Sequence, residues 1–172
     1  MKIILVAQEV AHCEFMGSLI PHFSRLGVRV AEFFADEDWE PSLEVMACLY
    51  DHISTPGEKK IAVFSGMCFG NQRNKKIDLP PYECEAITRA DMLQIPFGFY
   101  GEYWPDGNWP DYFWFTKFLG RAKIVIGPDW SEKPRTLMRL IRKSYCQMEF
   151  GSLGNPESIA EMLTSSLFGF SS

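Results

Sequence analysis

Short apolar runs alternate along the chain with longer stretches in which apolar residues recur every three or four positions. The apolar runs are rich in β-branched and aromatic residues and predict strands over 3–7, 28–34, 61–64, 97–101 and 123–126. Unbroken runs of this kind are typical of strands buried on both faces. Between these runs, apolar residues that recur every three or four positions predict amphipathic helices. The sequence Asn155-Pro156-Glu157 is typical of a helix start and predicts a final helix.

This alternation of strands and helices predicts the architecture. It is typical of a parallel sheet with right-handed crossovers and helices on both faces. We therefore predict a three-layer α/β fold, flavodoxin- or Rossmann-like, with a five-stranded parallel sheet in the order 2-1-3-4-5. A length of 172 residues fits one domain over 1–172. Ligands of such sheets bind at the carboxyl ends of the central strands, so the loop after Phe64 is expected to border a site.

Composition and charge narrow the range of partners. A net charge of −5 argues against a nucleic-acid binder, because phosphate neutralisation needs a basic surface. The five cysteines include no Cys-x-x-Cys pair, which favours a reducing, cytoplasmic setting and neither a disulfide framework nor a metal site. No apolar run approaches the length that spans a membrane. We expect a small-molecule partner and no cofactor.

The loop after the third predicted strand reads Gly-Met-Cys-Phe-Gly-Asn-Gln over 66–72. It resembles the nucleophile elbow of class I glutamine amidotransferases, in which a sharp turn exposes a catalytic thiol. The resemblance implies a glutaminase with Cys68 as nucleophile and a histidine further along the chain as its base. All three histidines (His12, His22 and His52) precede Cys68, and a thiol without a base is mostly protonated at neutral pH. The alternative is a glycine-flanked turn around a small cysteine.

A second stretch opens a predicted helix with Glu83 and Glu85 and ends at Leu93-Gln94-Ile95-Pro96. It resembles the helix of nucleoside 2-deoxyribosyltransferases and related nucleotide N-glycosidases, and the broad layout also resembles TIR domains. The first resemblance implies attack on, or stabilisation of, an anomeric carbon by Glu85 or Glu83. The Asp-Gly-Thr that usually precedes the glutamate is replaced by Asp78-Leu79-Pro80-Pro81. Alternatively, both glutamates are solvated first-turn acids that favour the helix dipole.

Further residues complete the predicted substrate site. An acidic loop after the second strand offers Asp38 to ribose hydroxyls. The loop after the third strand would form a wall near the base or phosphate through Gly66, Cys68, Gly70 and Asn71. Tyr103 and Trp104 could stack on a planar ligand. The aromatic segment Trp104 to Phe118 could equally form a homodimer interface or a small hydrophobic core.

Two hypotheses from different classes follow. The first is an enzyme acting on the glycosidic bond of a nucleoside, nucleotide or NAD-like substrate, as an N-glycosidase or deoxyribosyltransferase. The second is a non-catalytic nucleotide-binding or protein-interaction domain, including a degenerate glutaminase-like fold, in which the aromatic segment contacts a partner.

Overall fold

The computed structural model of the protein describes residues 1–35, 43–54, 60–66, 82–101, 118, 121–127 and 149–169. Within these ranges the strands are β1 (Lys2–Ala7), β2 (Arg29–Phe34), β3 (Ile61–Gly66), β4 (Phe97–Tyr100), β5 (Ile124–Gly127) and β6 (Glu149–Ser152). The helices are α1 (Val10–Arg25), α2 (Leu43–Ser54), α3 (Tyr82–Met92) and α4 (Pro156–Phe168).

The strands form one parallel sheet in the order β2-β1-β3-β4-β5-β6. The predicted α/β class and the order of the first five strands are confirmed. The predicted number of strands is wrong, because β6 pairs with β5 at the sheet edge. The segment Glu149–Ser152 has one large apolar residue and no apolar run, so its periodicity carries no strand signal.

Alternate residues of each strand point into two separate cores. On β1, Ile4 and Val6 pack with α2 and α3 on one face, whereas Ile3 and Leu5 pack with α1 and α4 on the other. This is the two-residue alternation expected of a strand covered on both sides. The predicted three-layer arrangement is therefore confirmed, with one pair of helices on each face among the described residues.

Local signals in the sequence account for several helix ends. Gly27 follows α1 with φ +70°, a left-handed conformation that glycine adopts without steric cost. Asn155 caps α4 by accepting a hydrogen bond from the Ser158 N–H at 2.8 Å. Helix α3 ends at Met92, and Leu93, directly after it, is 42% exposed.

One member of the aromatic segment lies among the described residues. Phe118 is buried and packs edge-to-face against Phe97, with ring centroids 6.4 Å apart. It therefore contributes to the core between the sheet and α3. The rest of the segment, including Tyr103 and Trp104, lies outside the described residues. In the part of the chain that the structure describes, no helix is both long and apolar enough to cross a membrane.

The sheet depends on a glycine at a central position. A Cβ on Gly98 of β4 would lie 2.7 Å from Ile124 Cγ2 and 2.9 Å from the Ile124 carbonyl oxygen. We expect Gly98→Ala to lower the free energy of unfolding by about 1–3 kcal/mol through overpacking. A Cβ on Gly17 of α1 meets no atom within 4 Å, so Gly17→Ala should raise stability by about 0.5–1 kcal/mol. Urea denaturation measures both, and equal effects would contradict the packing described.

Candidate active site

The strand order creates a switch point between β1 and β3. From β1 the chain crosses to β2 on one side, and β3 lies on the other side of β1. In open α/β sheets the ligand crevice lies at the carboxyl ends of the two strands that flank such a point. Here those ends are Ala7 of β1 and Gly66 of β3, and Gln8 and Glu9 directly follow β1.

Glu83 lies in the first turn of α3, and its side chain is 0% exposed. Its Oε1 accepts a hydrogen bond from the Gln8 backbone N–H at 3.0 Å, and its own N–H donates to Gln8 Oε1 at 3.3 Å. The second bond satisfies an N–H group that has no partner inside the helix. The positive end of the helix dipole also favours a carboxylate at this place. This reciprocal pair of hydrogen bonds ties the end of β1 to the start of α3.

His12 reaches the same carboxylate from α1 and is 1% exposed. Its Nδ1 lies 3.2 Å from Glu83 Oε1, and its Nε2 lies 3.6 Å from Glu9 Oε2. An imidazole whose two nitrogens both face carboxylates can donate a proton to each only as the imidazolium. Glu9, His12 and Glu83 therefore form one connected group of titratable side chains, which we call the Glu9–His12–Glu83 cluster.

Gly66 makes this convergence sterically feasible. α1 and α3 cover opposite faces of the sheet, so His12 and Glu83 can meet only beyond the end of β3. A Cβ on Gly66 would collide with Glu83 Oε1 and His12 Nδ1 and would lie 3.0 Å from Glu83 Cδ. A glycine within a strand often marks a close approach of this kind.

An aromatic wall closes one side of the cluster. Tyr100, the last residue of β4, contacts the His12 ring edge-to-face at 5.2 Å between centroids. Phe15, one turn along α1 from His12, stacks on Tyr100 at 3.9 Å. Apolar surroundings lower the local dielectric, so the interaction between His12 and Glu83 is stronger than it would be in water.

Glu85 lies in a different environment. Its Oε2 accepts a hydrogen bond from the Tyr50 hydroxyl of α2 at 3.0 Å. Burial, and then the hydrogen bond to Glu85, raise the pKa of Tyr50. Arg89 covers the Tyr50 ring at 5.4 Å from its centroid. Residues two apart on a helix point about 200° apart, so Glu83 faces the ends of β1 and β3 while Glu85 contacts Tyr50 of α2.

The predicted site residues are thus only partly brought together. Gly66 and Glu83 are in contact at the crevice, and Glu85 lies apart from them. The remaining predicted residues lie outside the described part of the chain: Asp38, Cys68, Gly70, Asn71, Tyr103 and Trp104. Among the residues that are described, no group of three or more His, Cys, Asp and Glu side chains is arranged to hold a metal ion.

Sequence reasoning missed Gln8, Glu9 and His12. A signal for His12 was present, because it precedes Met16 by four positions and so continues the buried stripe of α1 toward its start. A titratable residue on an apolar stripe needs a polar partner. Nothing in the periodicity of the chain identifies that partner as Glu83, which lies 71 positions away.

Comparison with protein-family models and with curated proteins found no match for this chain.

The close approach over Gly66 can be tested directly. We expect Gly66→Ala to lower the free energy of unfolding by about 1–3 kcal/mol, because the added methyl group must push His12 and Glu83 apart. Gly154→Ala is the matched control, since its Cβ would meet only the Ser152 carbonyl oxygen at 4.0 Å. That control should change stability by less than about 0.5 kcal/mol. Urea denaturation decides, and a Gly66→Ala variant as stable as wild type would contradict the geometry.

Proposed function

We propose that this protein is an enzyme that cleaves or transfers the glycosidic bond of a nucleoside, nucleotide or NAD-like substrate. Glu83 is the carboxylate that attacks or stabilises the anomeric carbon. One observation carries the proposal: a completely buried glutamate, with the Gln8 N–H and His12 Nδ1 both within hydrogen-bonding distance of Oε1, lies at the carboxyl end of the β1–β3 switch point. Ligands of this fold class bind at that position.

A buried carboxylate suits this chemistry. Cleavage of an N-glycosidic bond passes through an oxocarbenium-like state in which positive charge develops at the anomeric carbon. A negative charge beside that carbon stabilises the transition state, and it does so more strongly where water is excluded. Glu83 provides such a charge in a setting enclosed by Tyr100 and the ends of β1 and β3.

The proposed reaction is a displacement in two steps. The bond between C1′ and the base nitrogen breaks, its electron pair leaves with the base, and a Glu83 oxygen bonds to C1′. In hydrolysis, a water oxygen then displaces the carboxylate from C1′. The water supplies a hydroxyl group to the sugar. Its remaining proton goes to the departed base, or to solvent when the leaving group is neutral nicotinamide, so that atoms and charge balance. In transfer, the nitrogen of a second base takes the place of the water oxygen.

The resemblance of the α3 sequence to nucleoside 2-deoxyribosyltransferases supports the same assignment. In that family a glutamate that opens a helix acts on the anomeric carbon. Two glutamates here fit that description by sequence, and their surroundings favour Glu83. It faces the switch point, whereas Glu85 accepts a hydrogen bond from Tyr50 in the packing between α2 and α3.

One observation favours a second candidate function, a non-catalytic binding or interaction domain. Glu83 is completely buried, and its reciprocal hydrogen bonds with Gln8 fasten α3 to β1. A carboxylate with these contacts can have a purely structural role. In this alternative, removing the Glu83 charge lowers stability and changes no reaction.

A substrate panel tests the proposed function. The protein is incubated with deoxynucleosides, nucleoside monophosphates and NAD, together with a spare acceptor base, and the products are separated by chromatography. We expect free base or nicotinamide to be released, or the acceptor base to be incorporated. No release by folded protein from any member of the panel would contradict the enzymatic function and favour the binding domain.

Two isosteric variants distinguish the role of Glu83 in turnover from that of Glu85. Glu83→Gln removes the charge beside the anomeric carbon and should lower kcat about 100- to 1000-fold. Glu85→Gln keeps an oxygen that can accept from Tyr50, so its kcat should stay close to the wild-type value. Steady-state kinetics on the substrate found in the panel measures both, with circular dichroism as the check of folding. Equal losses, or a larger loss in Glu85→Gln, would contradict the assignment.

A further inference from the structure

We propose that His12 is a positioning residue, which holds the Glu83 carboxylate in the orientation required at the anomeric carbon. This inference rests on the proposed function and extends it to a residue outside the sequence motif. Its basis is the placement of two nitrogens at the same oxygen: the Gln8 backbone nitrogen lies 3.0 Å and His12 Nδ1 lies 3.2 Å from Glu83 Oε1.

The two donors come from separate parts of the fold. Gln8 follows β1, and His12 belongs to α1 on the face of the sheet opposite α3. Each hydrogen bond at Oε1 restricts the rotation of the carboxylate about its terminal bond. Two donors from different rigid elements fix that torsion. A reacting group that is already held in the productive orientation reacts faster than one that must first be oriented.

His12 also gives the buried carboxyl group of Glu83 a polar partner. A buried polar group is unfavourable unless it is hydrogen-bonded. Glu9 Oε2 lies 3.6 Å from the second ring nitrogen, so the ring lies between two carboxyl groups.

The position of His12 argues for action through Glu83 rather than on the substrate itself. A carboxyl group of Glu83 or Glu9 faces each of its ring nitrogens, so neither nitrogen is directed at a substrate. A general acid would need to reach the leaving base directly or through one water molecule. His12 is therefore assigned to the orientation of Glu83.

Two substitutions of His12 by residues of similar size distinguish a hydrogen bond donated by Nδ1 from one donated by Nε2. In His12→Asn the side-chain amide nitrogen can occupy the place of Nδ1 and still donate to Glu83. In His12→Gln the amide nitrogen reaches the place of Nε2, toward Glu9, so that the donor to Glu83 is lost. Neither amide carries a charge.

The kinetic test compares these variants on the substrate that the wild type turns over. We expect kcat to fall about 100-fold in His12→Gln, since a displaced catalytic group costs that much, with KM little changed. In His12→Asn, kcat should fall by no more than about tenfold, because donation to Glu83 is retained. Equal losses in the two variants, or a change in KM alone, would overturn the positioning role.

A spectroscopic test on the wild-type protein needs no turnover. Long-range ¹H–¹⁵N correlations of the wild-type imidazole rings report which nitrogen carries a proton. The signals are assigned with variants in which one histidine is replaced at a time, either His12 (His12→Asn) or one of the other two histidines. We expect a protonated, slowly exchanging Nδ1–H on His12, because Nδ1 lies 3.2 Å from Glu83 Oε1. An unprotonated Nδ1 in the wild type would overturn the inference.

The two tests together distinguish the two possible failures. Turnover by the wild type combined with an unprotonated Nδ1 overturns the positioning role and leaves the proposed function standing. A protonated Nδ1 without turnover of any substrate overturns the proposed function, and the contact between His12 and Glu83 is then structural.

Discussion

The contact between His12 and Glu83 over Gly66 is the constraint on which the rest of the site depends. A carboxylate that is 0% exposed persists only with donors and a compensating charge close by. Gln8 provides a donor from the end of β1, and His12 provides another from the opposite face of the sheet. Gly66 leaves the space in which the two side chains meet. Glu83 needs Gln8 and His12 as polar partners, and the side chains of His12 and Glu83 need the space that Gly66 leaves.

The fold supplies this contact with rigid supports. The central strands are buried on both faces, with one pair of helices packed on each side, so their carboxyl ends have little freedom to move. The parallel order brings β1 and β3 together as neighbours and separates the helices that follow them. Groups from α1 and α3 therefore converge at a single point of the sheet edge. A catalytic carboxylate profits from such support, because small displacements of a reacting group cost large factors in rate.

Much of this architecture could be predicted from the chain, and the reasons for the misses are specific. The apolar runs of β1 and β3 predict buried parallel strands, and Gly66 follows one of them as a candidate site residue. Strand β6 was not predicted because its sequence has no apolar periodicity. Only its pairing with β5 shows that it belongs to the sheet. Glu83 and Glu85 look alike in sequence, and only the packing of α3 separates their environments. His12 was missed because the contact with Glu83 is a tertiary one between helices on opposite faces.

The most direct test of this account is whether a ligand binds at the β1–β3 edge. Backbone ¹H–¹⁵N spectra are recorded while deoxynucleosides or NAD are added to the protein. We expect saturable shifts of the Gln8 and Gly66 amide signals, with no shift at Arg29 on the amino-end side of the sheet. Saturable shifts confined to other regions, with Gln8 and Gly66 unmoved, would contradict the placement of the site.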